Sequence, residues 1–204
     1  MSTLLRIDSS LFSANGQSSR LASDFVAAWQ QRFPDGRVLH RDLAAEPVPH
    51  LGAVQFQAFI TPPEQRDAAQ REAAAVSDAL IDELRTADVL VIGLPMYNFG
   101  VPSTLKAWFD HIARAGVTFK YTEKGAVGLL TGKKAYVFAA RGGLYAGTPA
   151  DTQTAYVRDF LRFLGIADVE FVFAEGLAMG ESPRDTALAG ARERIGELAD
   201  EAVA

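Results

Sequence analysis

The stretch Val89-Leu90-Val91-Ile92-Gly93-Leu94 is wholly apolar, and it ends abruptly in Pro95-Met96-Tyr97-Asn98-Phe99-Gly100. A continuous apolar run that is rich in β-branched residues and bounded by turn residues predicts a strand buried on both faces, as in parallel sheets covered by helices. Residues that follow such a strand lie at its carboxyl end, where open α/β sheets bind ligands. We therefore expect residues 95–100 to line a binding site.

Further strands and helices alternate on either side of this stretch. Short apolar or alternating runs predict strands at residues 4–7, 37–43, 134–140 and 169–173. Helical spacing and end signals predict helices at residues 18–33, 64–85, 102–116 and 148–164, and from residue 182 to the end. This alternation predicts a single domain over residues 1–204 with an α/β fold in three αβα layers. Its core is a flavodoxin-like, doubly wound sheet of five parallel strands in the order 2-1-3-4-5.

Two segments do not fit this alternation. Residues 44–63 contain four prolines and show no clear period. We therefore expect an irregular excursion over the surface, of the kind that often serves a site or an interface. Residues 116–125 alternate at period two and predict a small exposed hairpin.

Composition narrows the possible functions. The 204 residues carry a net charge of −5, no cysteine and only three scattered histidines. Because thiols are missing and the histidines lack ligand spacing, we predict neither a metal site nor a thiolate nucleophile. The acidic balance argues against a general nucleic-acid surface. No stretch has the apolar length of a membrane span and the start does not resemble a signal peptide, so we expect a cytoplasmic protein.

The predicted strand order brings the loops after strands 1, 3 and 4 to one edge of the sheet. In the first loop, Ser10 and the turn Gly16-Gln17-Ser18 lead into a helix start. Free backbone N–H groups, the helix dipole and the hydroxyls favour a phosphate there. A serine N-cap after a polar loop would explain the same residues. Neither a dinucleotide glycine fingerprint nor a P-loop is present, which argues against those two phosphate-binding classes.

The second and third loops suit the ring of a flavin. The phrase Met96-Tyr97-Asn98-Phe99 offers backbone and aromatic surface, and the Asn98 amide supplies a donor and an acceptor to a ring edge that has both. The pair Gly142-Gly143 allows backbone N–H groups to approach closely and to stabilise negative charge at the N1/C2 carbonyl side of a reduced flavin. The alternative interpretation is that Tyr97 and Phe99 are core aromatics beneath a loop, and that the glycines form only a strand-ending turn.

Five separated phrases resemble one family. They are residues 95–99, 113–122, 131–135, 141–143 and 171–176. Together, and in this order, they resemble the bacterial FMN-dependent NADH:quinone oxidoreductases known as azoreductases over nearly the whole chain. The resemblance implies FMN contacts from three groups of residues: Ser10, Gly16, Gln17 and Ser18; Met96, Tyr97, Asn98 and Phe99; and Ala140, Arg141, Gly142 and Gly143.

The resemblance also implies a homodimer with two flavin sites at its interface, where Phe119 and Tyr121 resemble the aromatics that close over the substrate side. We assign Tyr145 and Phe163 to the same substrate side. Two positions depart from the family pattern. Ala140 stands where the family often has Ser or Thr, which removes a possible hydroxyl contact to FMN, and Tyr145 stands where it often has His, which bears on substrate preference.

Without cysteine, a metal set or a Ser/His/Asp constellation, the chain needs a bound cofactor for difficult chemistry. No side chain is assigned as catalytic in itself, and Asn98, Gly142 and Gly143 assist. We predict an FMN-dependent NAD(P)H:quinone oxidoreductase with a ping-pong cycle. NADH or NADPH passes hydride to flavin N5 and leaves, and a quinone or an aromatic azo compound then takes its place, with two cycles needed to split an azo bond into amines. The alternatives are a flavodoxin-like electron carrier or flavin-binding regulator and, more distantly, a flavin-free NAD-dependent dehydrogenase.

Overall fold

Five parallel strands form the central sheet of the computed structural model, which describes residues 2–201. They are β1 (Thr3–Asp8), β2 (Arg37–Asp42), β3 (Val89–Pro95), β6 (Lys134–Ala140) and β7 (Asp168–Ala174), while β4 (Phe119–Thr122) and β5 (Gly125–Gly128) pair with each other as an antiparallel hairpin. The order across the sheet is β2-β1-β3-β6-β7, and every neighbouring pair is parallel. The predicted fold class and the order 2-1-3-4-5 are confirmed.

The sheet is covered on both faces by helices. Residues 2–201 form α1 (Gln17–Arg32), α2 (Ala53–Ile60), α3 (Ala68–Thr86), α4 (Ser103–Ile112), α5 (Thr154–Leu164) and α6 (Glu181–Glu201). Helices α1 and α6 pack on one face, and α3, α4 and α5 pack on the other. Strand β3 is apolar throughout because Leu90 and Ile92 enter one core while Val91 enters the other, and all three are buried.

The excursion predicted at residues 44–63 contains a helix, α2, so the prediction of wholly irregular structure is wrong there. The Gly52 N–H at its start donates to the Gln55 side chain at 3.2 Å. Of the residues in α2, only Ala58 is buried. The helix is only eight residues long, so its apolar residues make about two turns and do not build the longer periodic stripe from which a helix is predicted.

Three helix ends also differ from the prediction. Helix α3 begins four residues later, at Ala68, because the Asp67 carboxylate accepts from the Gln70 N–H (2.8 Å) and caps the helix there. Helix α4 ends one turn earlier, at Ile112, because the Thr118 hydroxyl donates to the Ile112 carbonyl (2.6 Å) and accepts from the Arg114 N–H (2.9 Å). These bonds replace the helical ones of the next turn. Helix α5 begins six residues later, at Thr154, where the Asp151 carboxylate accepts from the first helical N–H, that of Thr154 (3.0 Å).

The β4–β5 hairpin lies at the amino edge of the sheet. Helices that connect parallel strands run back against the strand direction, so the C-terminal ends of α4 and α5 lie at this edge. The Leu130 N–H, just after the hairpin, donates to the Leu164 carbonyl at the end of α5 (2.9 Å). The predicted hairpin is confirmed three residues later than expected. It lies at the end of the sheet opposite to residues 95–100.

Candidate active site

Three loops meet at the carboxyl edge of the sheet, and hydrogen bonds join them in pairs. The Tyr97 hydroxyl, after β3, accepts from the Leu11 N–H after β1 (3.1 Å) and lies 3.4 Å from the Ser10 hydroxyl. On the other side of the same loop, the Met96 N–H donates to the Ala140 carbonyl at the end of β6 (3.1 Å). The structure thus brings together the three loops that the strand order predicted to converge.

The first loop ends in a tight turn at the start of α1. A Cβ atom at Gly16 would lie 2.1 Å from Ser10 Oγ, so only glycine allows the loop to fold back on itself. Gly16 is also the N-cap, and no side chain caps the helix, so the alternative interpretation of the serines as an N-cap is wrong. Gln17, the first helical residue, is half-buried.

Two hydroxyls at the start of α1 have no partner. The Ser18 and Ser19 Oγ atoms are buried, and no group among residues 2–201 forms a hydrogen bond with either. Buried polar atoms in folded proteins are almost always paired, so an orphaned hydroxyl calls for an explanation. An orphaned hydroxyl beside the free N–H groups of a helix start fits the phosphate of FMN.

The second loop is a tight turn in which two consecutive non-glycine residues are left-handed. Tyr97 and Gly100 exchange backbone hydrogen bonds at 3.0 and 3.3 Å, and the residues between them, Asn98 and Phe99, have φ angles of +50° and +62°. Positive φ at both central positions is typical of a type I′ turn, which favours Asn-Gly. For phenylalanine, the left-handed region costs roughly 1–2 kcal/mol. Because Phe99 is 56% exposed, the alternative interpretation of this residue as a core aromatic is wrong.

The third loop offers two backbone donors. The carbonyl oxygens of residues 141–143 all accept hydrogen bonds, at 2.9–3.1 Å, from residues 176–178 after β7. The Gly142 and Gly143 N–H groups, in contrast, form no backbone hydrogen bond within the described chain. Unpaired N–H groups on a loop whose carbonyls are held in place suit an anionic oxygen or a ring carbonyl.

The second and third loops enclose a cavity of about 280 Å³. It is lined by Met96, Asn98, Phe99, Gly142 and Tyr145. The Phe99 and Tyr145 rings meet edge to face, with their centroids 5.6 Å apart. The cavity therefore brings residues predicted to contact a flavin ring together with Tyr145, which was predicted to contact substrate.

The Arg141 side chain is engaged inside the protein and is not free for a ligand. Its guanidinium is fully buried and donates to Gln153 Oε1 (3.2 Å), Glu175 Oε1 (3.0 Å) and Asp151 Oδ1 (2.9 Å). Burial acts to raise the pKa of Asp151, but hydrogen bonds from Arg141 and Thr154 outweigh it, and the pKa lies below its usual value. Any contact from Arg141 to a cofactor is therefore limited to its main chain.

Three of the predicted substrate residues lie away from this cavity. Phe119, Tyr121 and Phe163 form a cluster on the hairpin and α5, with the Phe119 ring centroid 4.3 Å from that of Phe163 and 5.5 Å from that of Tyr121. Since this cluster is at the amino edge, it does not reach the carboxyl-edge cavity of its own chain. Phe119 and Tyr121 instead line a second cavity of about 460 Å³, whose other walls come from α2, Leu51 and the end of α4.

Two polar residues that the sequence did not single out hold the loops in place. Gln153 Nε2 donates to the carbonyls of Pro95 and Gly100, at 2.9 Å each. The Glu175 carboxylate accepts from the Tyr145 N–H (3.0 Å). Gln153 lies in none of the five phrases that resemble the family, and Glu175 lies in the last of them, residues 171–176, without having been given a role. Their roles depend on contacts with residues more than 25 positions away in the chain, for which local sequence carries no signal.

Two further features, a metal centre and a membrane span, are absent from residues 2–201. No group of His, Asp and Glu side chains there is arranged to hold a metal ion. In the same part of the chain, no helix combines the length and the apolar character needed to cross a bilayer.

Comparison with known sequences shows similarity over nearly the whole chain. A family model described as flavodoxin-like fold matches residues 2–199. The FMN-dependent NADH:quinone oxidoreductase of Cellvibrio japonicus is 57% identical over 195 residues, which cover 96% of this chain and 97% of that protein. The FMN-dependent NADH:quinone oxidoreductase 6 of Burkholderia lata is 55% identical over 96% of this chain and 98% of its own length.

Solved structures show the same extent of similarity. An azoreductase from Bacillus anthracis has a TM-score of 0.90 and 28% identity, with 98% of this chain and 100% of that chain covered. An FMN-dependent NADH-azoreductase from the same species, in complex with FMN, has a TM-score of 0.90 and 25% identity over 100% of both chains. The similarity therefore concerns the entire fold and not one motif.

Proposed function

This chain belongs to the FMN-dependent NADH:quinone oxidoreductases of the flavodoxin-like fold family, and on that premise we propose that it binds FMN at the carboxyl edge of its sheet and reduces quinones with NADH or NADPH. We extend the proposal to aromatic azo compounds, because an azoreductase shares its fold at a TM-score of 0.90. One observation carries the proposal. A helix start with the orphaned Ser18 hydroxyl shares one edge with the free N–H groups of Gly142 and Gly143.

The three loops fit the two ends of FMN. The phosphate end would be held by Ser10, Gly16, Gln17 and Ser18, and the ring end by Met96, Tyr97, Asn98 and Phe99 together with the main chain of Ala140, Arg141, Gly142 and Gly143. The Asn98 side chain is exposed at the cavity, so its amide is free to orient a ring edge that has both donors and acceptors.

When bound, FMN supplies two-electron hydride chemistry at N5, in a ping-pong order in which the nicotinamide leaves before the acceptor enters, and two rounds convert an azo compound to two amines. The chain itself binds the cofactor, stabilises charge on it and orients the acceptor. The Gly142 and Gly143 N–H groups stabilise negative charge on an oxygen beside them, because they are held in place and have no competing partner. The rings of Phe99 and Tyr145 align a flat aromatic acceptor by stacking.

The active unit in this proposal is a homodimer. Phe119, Tyr121 and Phe163 do not reach the carboxyl-edge cavity of their own chain, so they contribute to such a cavity only from a second copy. The exposed Tyr121 ring would make that contact, because Phe119 is buried and packs edge to face against it. Exposed apolar side chains surround the second cavity, with Phe56, Ile60 and Tyr121 exposed to 55%, 58% and 75%. Such a patch on a chain of this kind is typical of an interface.

The proposed function is tested by NADH oxidation with the purified, FMN-loaded protein. We expect oxidation that depends on added benzoquinone, slower oxidation with an aromatic azo dye, and a measurable preference between NADH and NADPH. A protein that holds FMN fully but consumes no NADH with any acceptor would contradict the oxidoreductase and favour an electron carrier. A protein that does not quench FMN fluorescence would favour the flavin-free dehydrogenase.

A further inference from the structure

The left-handed turn at Asn98 and Phe99 is the most strained backbone of the site. Residues 2–201 contain only one other non-glycine residue with positive φ, Ser13. Strain of this kind persists only where the surrounding structure over-determines it. The turn therefore needs contacts that hold it, and these contacts must come from outside the loop, because its own two hydrogen bonds join only Tyr97 and Gly100.

Two adjacent residues before α5, Thr152 and Gln153, supply these contacts, and we refer to them as the clamp. The Thr152 hydroxyl donates to the Phe99 carbonyl. Gln153 Nε2 donates to the carbonyls of Pro95 and Gly100, at 2.9 Å each. Gln153 is fully buried, so water does not compete for these bonds and their loss would leave carbonyls unpaired.

The other end of the Gln153 amide reaches the third loop. Its Oε1 accepts from Arg141 Nε (3.2 Å), and the same guanidinium donates to Glu175 (3.0 Å), whose carboxylate holds the Tyr145 N–H (3.0 Å). One buried amide thus joins the left-handed turn to the ends of β6 and β7 and to the Tyr145 wall of the cavity. Because it donates at one end and accepts at the other, a glutamate of the same length cannot replace it.

We propose that Gln153, assisted by Thr152, is a positioning residue for the flavin ring: it keeps Asn98 and Phe99 left-handed and fixes them against the glycine loop before the cofactor binds. This role rests on the proposed function, because the flavin ring is the group that the cavity receives. A loop ordered in advance binds more tightly, since its ordering does not have to accompany binding. The expected signature is a loss of FMN affinity in a chain that remains folded.

Gln153→Glu and Thr152→Val separate the parts of the clamp. Gln153→Glu keeps an acceptor for Arg141 but, when ionised, has no donor for the carbonyls of the turn. Thr152→Val removes only the bond to Phe99, at an exposed position. In titrations of FMN into apoprotein we expect affinity to fall about ten- to a hundredfold for Gln153→Glu and about tenfold for Thr152→Val. FMN binding equal to wild type in both variants overturns the proposal.

Matched controls remove similar groups outside the three loops. Gln70→Ala deletes the amide that caps the start of α3, and Thr86→Val deletes a hydroxyl that donates to the Asp82 carbonyl in the last turn of the same helix. Both controls should bind FMN like wild type. Losses equal to those of the clamp variants would assign the effect to general destabilisation and overturn the specific role.

The apoprotein tests the clamp without any cofactor. A residue with positive φ has a short distance between its N–H and Hα protons, so it gives an intense intraresidue NOE. We expect intense signals for Asn98 and Phe99 in the wild type and their loss in Gln153→Glu, with the remaining backbone resonances unchanged. Retention of both signals in the variant overturns the proposal, whatever the FMN titration shows.

Phe99→Gly tests whether the clamp acts through strain. Glycine adopts positive φ without penalty, so the clamp then has less to hold. We expect the loss of FMN affinity caused by Gln153→Glu to be about five times smaller in the Phe99→Gly background than in wild type. Equal losses in the two backgrounds overturn the role.

If wild-type apoprotein does not bind FMN, the proposed function fails together with this role. If it binds FMN while the clamp variants bind equally well, only the positioning role fails.

Discussion

Gly16 has no room for a side chain, because a Cβ atom there would lie 2.1 Å from Ser10 Oγ. Gly16→Ala must push the first loop away from α1. We expect FMN affinity to fall at least about tenfold and the free energy of unfolding to fall by roughly 1–3 kcal/mol. FMN titration and urea unfolding measure the two quantities.

Gly190→Ala is the control. Its new methyl group meets open space on α6, so FMN binding should not change and the free energy of unfolding should rise by roughly 0.5–1 kcal/mol. Wild-type FMN affinity in Gly16→Ala would contradict the phosphate loop.

Because the Ser18 hydroxyl has no partner among the described residues, changing it should affect FMN affinity without affecting the stability of the apoprotein. Ser18→Ala removes no hydrogen bond within the described chain, so the apoprotein should be as stable as wild type. FMN should bind about tenfold more weakly, because a phosphate oxygen loses a donor. Riboflavin has no phosphate, and its affinity should not change.

Ser23→Ala is the control. It removes the acceptor of Arg6 Nη1 (2.7 Å), so it should lower the free energy of unfolding without changing FMN affinity. Equal losses for both ligands would place the Ser18 hydroxyl away from the phosphate.

His111 makes the stability of the fold depend on pH. Its ring is fully buried and forms no well-aligned hydrogen bond within residues 2–201. Burial lowers its pKa below 6.5, against the opposing effects of the Pro49 carbonyl and the Asp110 carboxylate. The unfolded chain therefore takes up a proton near the ordinary pKa that the folded chain does not. The free energy of unfolding is fully retained above that pH and falls as the pH drops through it.

Urea unfolding at pH values near 7.5 and 5.5 checks this dependence. Wild type should lose more stability between the two pH values than His111→Leu, which has no imidazole to protonate. The same loss in both proteins would show that His111 is not the group responsible.

At the scale of elements, the β4–β5 hairpin has no contact with the carboxyl-edge cavity of its own chain, so its role in such a site depends on a second copy. Its Tyr121 is 75% exposed and lies at the amino edge. If the hairpin serves the site of a second copy, Tyr121→Ala should raise the KM for quinones about tenfold. FMN affinity should stay within about twofold of wild type, and the free energy of unfolding should not change. Lys124→Ala, at the turn of the same hairpin, should change none of these quantities. Unchanged quinone kinetics in Tyr121→Ala would remove the hairpin from the acceptor site.

The elements also show where local sequence is sufficient to predict the bounds of a strand or a helix. Strand β6 has its predicted bounds because burial on both faces leaves an unbroken apolar run that polar loops interrupt sharply. Helix α2 was missed because it is only eight residues long, which is too short for its apolar residues to establish a clear period. The early end of α4 follows from hydrogen bonds of the Thr118 side chain, which exist only once the chain has turned back. Propensity alone gives no reason to stop the helix there.

At the scale of the whole molecule, the proposed dimer divides each site between two chains. At an FMN concentration too low to load its weakened site, a Gly16→Ala chain has no working FMN site but has an intact hairpin, and a Tyr121→Ala chain has a loaded FMN site but an impaired hairpin. When the two are refolded together, mixed dimers contain one complete site. Random pairing should restore roughly a quarter of wild-type activity at low quinone concentration. A mixture that shows only the mean of the two variants, or a fully active monomer in sedimentation, would contradict the shared site.

The amino-acid sequence by itself determined the fold class, the strand order and the three loops of the candidate site. These features depend on local signals: apolar runs, helix ends, and glycines such as Gly16 and Gly142. Only the tertiary structure decided that the Arg141 side chain is enclosed, that Phe119 and Tyr121 lie at the far edge, and that Gln153 holds the left-handed turn. The reason is physical. A side chain's partners are set by how elements pack, and a contact between residues 58 positions apart leaves no period or spacing in the chain.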